Sequence, residues 1–136
     1  SEALKQIVRA AGLENDVICT GYLEEPDLIR AYQGALLYVD PSFYEGFGFQ
    51  VLEAMASGVP VIASNRSAIF ELADGAGILA DPTDSRSIAQ AMVRALTDDR
   101  SWNEIRERGL ERAAQLNWER TACDTLSAYQ EVLDES

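Results

Sequence analysis

The sequence predicts an α/β domain, built on a parallel sheet of about four strands with flanking helices and a helical C-terminal tail. Short apolar runs alternate with segments whose apolar residues recur every three or four positions, and after Thr83 only the helical pattern is present. The chain has 136 residues, of which 47% are hydrophobic and 25% are charged. This size and composition are typical of one folded domain, so we treat residues 1–136 as a single unit.

The first part of the chain is predicted to alternate between helix and strand twice. Ser1 caps the first helix and Gly12 ends it. The first predicted strand is Val17–Thr20. Pro26 lies in the first turn of the second helix, and the continuous apolar run Leu36–Val39 is the second strand, of the kind covered on both faces.

The alternation continues after the loop that follows Val39. The predicted elements are a helix over Phe49–Ala56, a strand over Pro60–Ala63, a short helix over Ala68–Ala73 and a strand over Gly77–Ala80. Beyond Thr83, three apolar stripes at helical spacing predict three helices, the last of them capped by Asn117. Trp102 and Trp118 fall at positions that favour the core.

The charge and the reactive side chains exclude several classes of function. Asp and Glu number 23 against 11 Lys and Arg, so the net charge is −12, which argues against nucleic acid or anionic lipid as a partner. The chain has no histidine, which excludes a Ser-His-Asp triad and the usual imidazole zinc site. Cys19 and Cys123 are predicted to be small, buried residues in a reducing compartment. No apolar run has the length of a membrane span.

The loop after Val39 is the strongest candidate for a functional site, because ligands of parallel sheets bind outside the carboxyl ends of the strands. Gly46 and Gly48 allow the backbone to approach a ligand closely, and the helix that follows presents free N–H groups to an anion such as a diphosphate. The carboxylates of Glu45 and Glu53 can each accept two hydrogen bonds from vicinal hydroxyls. These features together suit a sugar nucleotide. An ordinary strand-to-helix turn with two solvated glutamates explains the same residues and remains the alternative.

The same segment resembles the signature of a known family. The matching residues are Pro41-Ser42, Glu45–Gly48, Leu52–Ala56, Gly58 and Pro60-Val61, with two glutamates separated by seven residues. They resemble the retaining group 1 glycosyltransferases, family four of that classification, which have the GT-B fold. Further matches follow at Ala63–Asn65, Glu71, Gly75–Leu79, Asp81-Pro82 and Asn117–Glu119, so the resemblance covers roughly residues 17–129.

The resemblance implies an enzyme of two Rossmann-like domains, of which this chain is the C-terminal, nucleotide-sugar (donor) binding one. Glu45 would be the catalytic residue, contacting the donor sugar and the charge that develops near the anomeric centre. Glu53 would accept hydrogen bonds from the ribose, and the backbone of the loop Gly46, Phe47 and Gly48 would bind the sugar or the phosphate. Tyr22 lies near the position where relatives hold the base. Neither a cofactor nor a metal ion is implied, since the nucleotide sugar is a substrate.

The chain also departs from the family pattern. Relatives clamp the diphosphate with Arg and Lys early in this domain, whereas the only lysine here is Lys5. We therefore expect a donor-binding part that lacks the first two strands and the acceptor domain and is inactive alone. Its partners would be a nucleoside diphosphate sugar and that acceptor domain. The full enzyme would be cytoplasmic, and any contact with a membrane would be made by the acceptor domain. The alternatives are a nucleotide-binding fragment without activity and another GT-B enzyme, such as a sugar-nucleotide epimerase.

Loss of two strands would leave an exposed sheet edge. Relatives order the strands of this domain 3-2-1-4-5-6, and Val17–Thr20 and Leu36–Val39 correspond to strands three and four. Either Val17–Thr20 pairs directly with Leu36–Val39, which gives a compact four-stranded sheet, or two chains pair through the free edge as a homodimer. We favour the homodimer, because the apolar surface left by the missing strands is large for a monomer of this size.

Overall fold

The computed structural model describes residues 2–134, which form seven helices and three strands. The helices are α1 (Glu2–Ala10), α2 (Glu25–Gly34), α3 (Phe49–Ala56), α4 (Ser67–Ala73), α5 (Ser85–Thr97), α6 (Asp99–Gln115) and α7 (Trp118–Asp134). The strands are β1 (Tyr38–Asp40), β2 (Val61–Ser64) and β3 (Ile78–Ala80). The predicted α/β class, with helices flanking a parallel sheet and a helical C-terminal tail, is confirmed.

The sheet is parallel and has the order β1-β2-β3. Asp40 pairs in register with Ala63 of β2, and Ser64 pairs with Ala80 of β3. The central strand β2 is buried along its whole length. Because the strands are parallel and in this register, the loops after Asp40, Ser64 and Ala80 emerge at one edge of the sheet.

Side chains of β2 alternate between two apolar layers. Val61 and Ala63 point into the main core, which contains Val51, Ala54 and Met55 of α3 together with Ile69 and Leu72 of α4. Ile62 points to the other face, where it packs with Ala80 and with Ala91 of α5. The sheet is therefore covered on both faces, as the continuous apolar character of its strands predicted.

Helix α6 closes the main core by packing tightly against α3. A Cβ on Gly109 would lie 3.3 Å from Cγ of Met55, so glycine favours the close approach of the two helices at this crossing. Trp102, on the same helix, donates its indole N–H to the carbonyl oxygen of Leu36, 2.9 Å away. This bond fastens α6 to the chain just before β1, and it explains why Trp102 is half-buried rather than fully in the core.

The prediction of a strand at Val17–Thr20 is wrong. Residues 11–22 are exposed throughout, and the side chain of Ile18 is 85% exposed. A strand is stable where its backbone N–H and C=O groups form hydrogen bonds with a neighbouring strand. The structure places no strand beside this segment. The described residues therefore form three strands rather than about four, and the compact four-stranded alternative fails. Strand β1 lies at an edge of the sheet, and the homodimer through that edge stays a prediction, which light scattering can test.

Two further expectations about burial are wrong. Cys19 and Cys123 are both exposed, because Cys19 lies on the unpaired segment and Cys123 on α7. Trp118 is 77% exposed, since α7 buries none of its described residues. The predicted N-cap of that helix is confirmed, because Asn117 Oδ1 accepts from the backbone N–H of Arg120 at 2.8 Å. The cap predicted at Ser1 lies outside the described residues.

Candidate functional site

The loop after β1 is tied to the start of α4. Asp40, buried at the end of β1, accepts a hydrogen bond from the backbone N–H of Ser42 at 3.0 Å. Farther along the loop, the backbone N–H of Glu45 donates to Oγ of Ser67, 3.1 Å away. Ser67 has a φ of +55°, a conformation that L-residues seldom adopt. The backbone of Glu45 is thus held by the first residue of α4, whose own backbone is strained.

Gly48 forms the entrance to α3 and leaves its first turn uncapped by any side chain. It occupies the N-cap position with φ +94° and ψ +50°. An added Cβ would lie 3.1 Å from Cγ1 of Ile69, so the close approach of the loop to α4 also requires glycine. Because no side chain caps the helix, its first-turn N–H groups and positive dipole end are directed at the loop. Anion binding at this helix start stays a prediction.

We expect Gly48→Ala to lower the free energy of unfolding by about 1–3 kcal/mol, since it adds backbone strain and a close contact with Ile69. Gly46→Ala is the matched control. Gly46 has open space around its Cα and no unusual φ, so its substitution should change stability by less than about 0.5 kcal/mol. Urea denaturation of the two variants measures both values. Equal stability of the two variants would show that Gly48 is not required by the loop conformation.

Glu53 lies on the exposed face of α3, and its carboxylate contacts a buried tyrosine. The hydroxyl of Tyr32, on α2, donates to Oε2 of Glu53 at 3.2 Å. Tyr32 is only 7% exposed, and its ring packs edge-on against Tyr38 with 5.6 Å between ring centroids. Burial, followed by the negative charge of Glu53, raises the pKa of Tyr32 to about 12. The phenol therefore keeps its proton and remains a donor at neutral pH.

A groove of about 560 Å³ brings two of the predicted site residues together. Phe47 and Glu53 line it, and the rings of Phe47 and Phe49 pack with centroids 4.7 Å apart. The remaining wall comes from the junction of α6 and α7 and consists of Ala113, Leu116, Asn117, Trp118 and Thr121, with Leu52 and Ala56 of α3. The groove thus offers an apolar surface beside a carboxylate, a combination that suits a ligand with rings and hydroxyls.

The other predicted site residues lie outside the lining of the groove. Glu45 is half-buried in the loop before α3, and Tyr22 is 87% exposed on the unpaired segment that precedes α2. Arg66, at the carboxyl end of β2, pairs with Asp81 at 3.4 Å. Hydrogen bonds from the hydroxyl and backbone N–H of Thr83, more than the charge of Arg66, lower the pKa of Asp81. The positive charge of Arg66 is therefore partly neutralised beside the site.

Within residues 2–134, His, Cys, Asp and Glu form no group of three or more that could hold a metal ion. No helix in the same range is long and apolar enough to cross a membrane.

Comparison with known proteins decides the family. The family model described as "Glycosyl transferases group 1" matches residues 1–98. The chain belongs to this family. The resemblance that the sequence motif indicated is therefore confirmed.

Individual members of the family show the same relationship over nearly the whole chain. The O-antigen chain mannosyltransferase B of Escherichia coli is 42% identical over 130 residues, which is 95% of this chain and 34% of that protein. The sucrose-phosphate synthase of Thermosynechococcus elongatus superposes with a TM-score of 0.88 at 31% identity, over 99% of this chain and 35% of that one. Anabaena HepE, solved with UDP and glucose, has a TM-score of 0.81 at 25% identity, over 93% of this chain and 36% of that one. This chain has the Rossmann-like α/β fold of part of these glycosyltransferases and spans about a third of their length.

Proposed function

We propose that this domain binds the donor in a retaining glycosyltransferase, which transfers a sugar from a nucleotide sugar to a glycan, lipid or small-molecule acceptor. The observation that carries the proposal is the placement of one glutamate on the loop before α3 and of a second on α3 itself. Glu45 lies on the loop before the uncapped start of α3, and Glu53 lies on the same helix at the wall of the groove. Anabaena HepE, which is similar in structure, has been solved with UDP and glucose, and this supports a nucleotide sugar as the ligand.

Each part of the site has a role in this proposal. The diphosphate lies at the start of α3, where the helix dipole and the backbone N–H groups of the loop Gly46, Phe47 and Gly48 favour negative charge. The carboxylate of Glu53 accepts hydrogen bonds from the ribose hydroxyls. The carboxylate of Glu45 contacts the hydroxyls of the donor sugar and stabilises positive charge near its anomeric carbon. Tyr22 contributes to the base pocket.

The transfer proceeds with retention at the anomeric carbon and without a metal ion. Local geometry has to overcome the net charge of −12, which repels a diphosphate at long range. The oriented N–H groups at the start of α3 supply positive potential within hydrogen-bonding distance, where the net charge matters less. Similarity to an O-antigen chain mannosyltransferase supports a growing polysaccharide as the acceptor. In this proposal the enzyme is cytoplasmic, and its acceptor domain makes any contact with a membrane.

A binding screen tests the donor assignment. Titration calorimetry with UDP, GDP, ADP and their glucose or mannose derivatives should show binding to this chain with a preference for one base. The sugar derivatives should bind at least as tightly as the nucleoside diphosphate alone. A screen in which every nucleotide fails to bind, with a folded chain, would contradict the proposal.

The isolated chain should show no transferase turnover with any donor and acceptor pair. It spans about a third of its relatives, and the proposed reaction needs an acceptor face and a cationic group that stabilises the departing diphosphate. Transfer of a radiolabelled sugar from the nucleotide sugars of the screen to a polysaccharide acceptor measures this. Transfer above that of a heat-inactivated sample would show that the chain is an enzyme by itself.

A further inference from the structure

The hydrogen bond between Tyr32 and Glu53 links the main core to the groove. Tyr32 belongs to the buried cluster that also contains Val51, Ala54 and Met55 of α3. Its ring makes an angle of 68° with that of Tyr38, so a neighbouring aromatic ring restricts its orientation. Its hydroxyl is the part of the side chain that reaches Glu53.

Glu53 needs such support, because a glutamate on an exposed helix face samples several rotamers. Ordering a long side chain at the moment of binding lowers the affinity for the ligand. A hydrogen bond from a side chain that the core already holds in place orders the Glu53 carboxylate when the protein folds, before the ligand binds. The bond from Tyr32 uses one of the lone pairs of Oε2. The other acceptor positions of the carboxylate remain available to a ligand in the groove.

We propose that Tyr32 is a positioning residue, which holds the carboxylate of Glu53 in the orientation that accepts the ribose hydroxyls of the donor. This inference rests on the proposed role of Glu53 as the ribose acceptor. Tyr32 acts only through Glu53 and does not touch the nucleotide. Its contribution is therefore confined to the part of the binding affinity that depends on the ribose hydroxyls.

The test compares UDP and GDP with their 2′,3′-dideoxy counterparts, which lack both ribose hydroxyls. For each variant, titration calorimetry gives the ratio of the dissociation constant of the dideoxynucleotide to that of the ribonucleotide. Tyr32→Phe removes only the hydroxyl and keeps the ring against Tyr38. Tyr38→Phe is the matched control, since it removes a hydroxyl from the adjacent ring and leaves the bond to Glu53 in place. Glu53→Gln removes the proposed acceptor charge.

The wild-type ratio should be at least tenfold. Tyr32→Phe should lower it about three- to tenfold, the effect of one hydrogen bond, and leave the affinity for the dideoxynucleotide unchanged. Tyr38→Phe should keep the wild-type ratio. If Glu53→Gln lowers the ratio and Tyr32→Phe does not, the role of Tyr32 is overturned and that of Glu53 stands. A ratio near one in the wild type overturns both.

A purely structural role for Tyr32 would have a different signature. It would weaken ribonucleotide and dideoxynucleotide equally, together with a lower melting temperature, and that result would overturn the inference. A measurement on the wild-type chain avoids any effect of substitution on folding. The NMR signal of the Tyr32 ζ-carbon, next to the hydroxyl, should move on saturation with the ribonucleotide more than with the dideoxynucleotide. Equal movement would overturn the inference.

Discussion

Glu45→Ala should lower turnover about 100- to 1000-fold in an enzyme that joins this domain to an acceptor domain. This is the range observed when one preorganised group that stabilises transition-state charge is removed. The carboxylate of Glu45 is proposed to oppose the positive charge that develops near the anomeric carbon as the bond to the diphosphate breaks. That charge is absent from the bound donor, so the affinity for the nucleotide should remain within about threefold of wild type.

Steady-state kinetics together with nucleotide titration measures both quantities on the same variant. Glu107→Ala, on the exposed part of α6, is the matched control, since it removes the same charge outside the residues that form the site. It should leave turnover and affinity unchanged. A Glu45→Ala variant with wild-type turnover, or one whose loss is explained by weaker donor binding, would remove Glu45 from the proposed catalytic role.

Glu53→Ala should weaken nucleotide binding by about 1.5–3 kcal/mol, or roughly 10- to 150-fold, as expected for hydrogen bonds to a charged group. The loss should be confined to binding, because the ribose is remote from the bond that breaks. Glu53 is exposed on α3, so truncation should leave the fold intact apart from the bond to Tyr32. Calorimetric titration of UDP and GDP gives the affinities, and the melting temperature reports on the fold.

One result would contradict the assignment of Glu53 as the ribose acceptor. If Glu53→Ala and the wild type give superimposable titration curves, the ribose is held elsewhere in the groove. Glu107→Ala again serves as the control for the loss of one negative charge, and its titration curve should match that of the wild type.

Much of the fold could be predicted because local pattern and tertiary pairing agree there. Strand β2 is buried on both faces and was predicted from an unbroken apolar run within one residue of its bounds. The same reasoning failed at Val17–Thr20, whose apolar run is just as short but has no partner strand. A hydrophobic pattern reports what a segment can form, whereas pairing depends on which other strands are present.

Helix α7 shows the same difference between a pattern and its realisation. Its apolar residues recur at helical spacing and the helix forms, but every described residue of it remains exposed. The prediction that Trp118 is in the core assumed that an apolar stripe has a surface to cover. In the described structure Trp118 instead forms one wall of the groove beside Glu53.

At the site, the sequence predicted the glycine-rich entrance to α3 but not the residues that support it. Two features favour glycine at position 48, its φ of +94° and the closeness of Ile69. A glycine just before a helix suggests the positive φ, but it gives no indication of the contact with Ile69. The ring of Tyr32 lies in the main core. Its hydroxyl needed a partner and was the available signal. Ser67 gave no signal, since its bond to Glu45 joins residues that are distant in sequence.

The most direct test of the account is a crystal structure of this chain with the nucleoside diphosphate that binds best in the screen. We expect the diphosphate at the start of α3, next to Gly48, and both ribose hydroxyls within about 2.5–3.0 Å of the Glu53 carboxylate. The hydroxyl of Tyr32 should still donate to that carboxylate. A nucleotide bound with its ribose away from Glu53, or its phosphates away from α3, would contradict the proposed donor site.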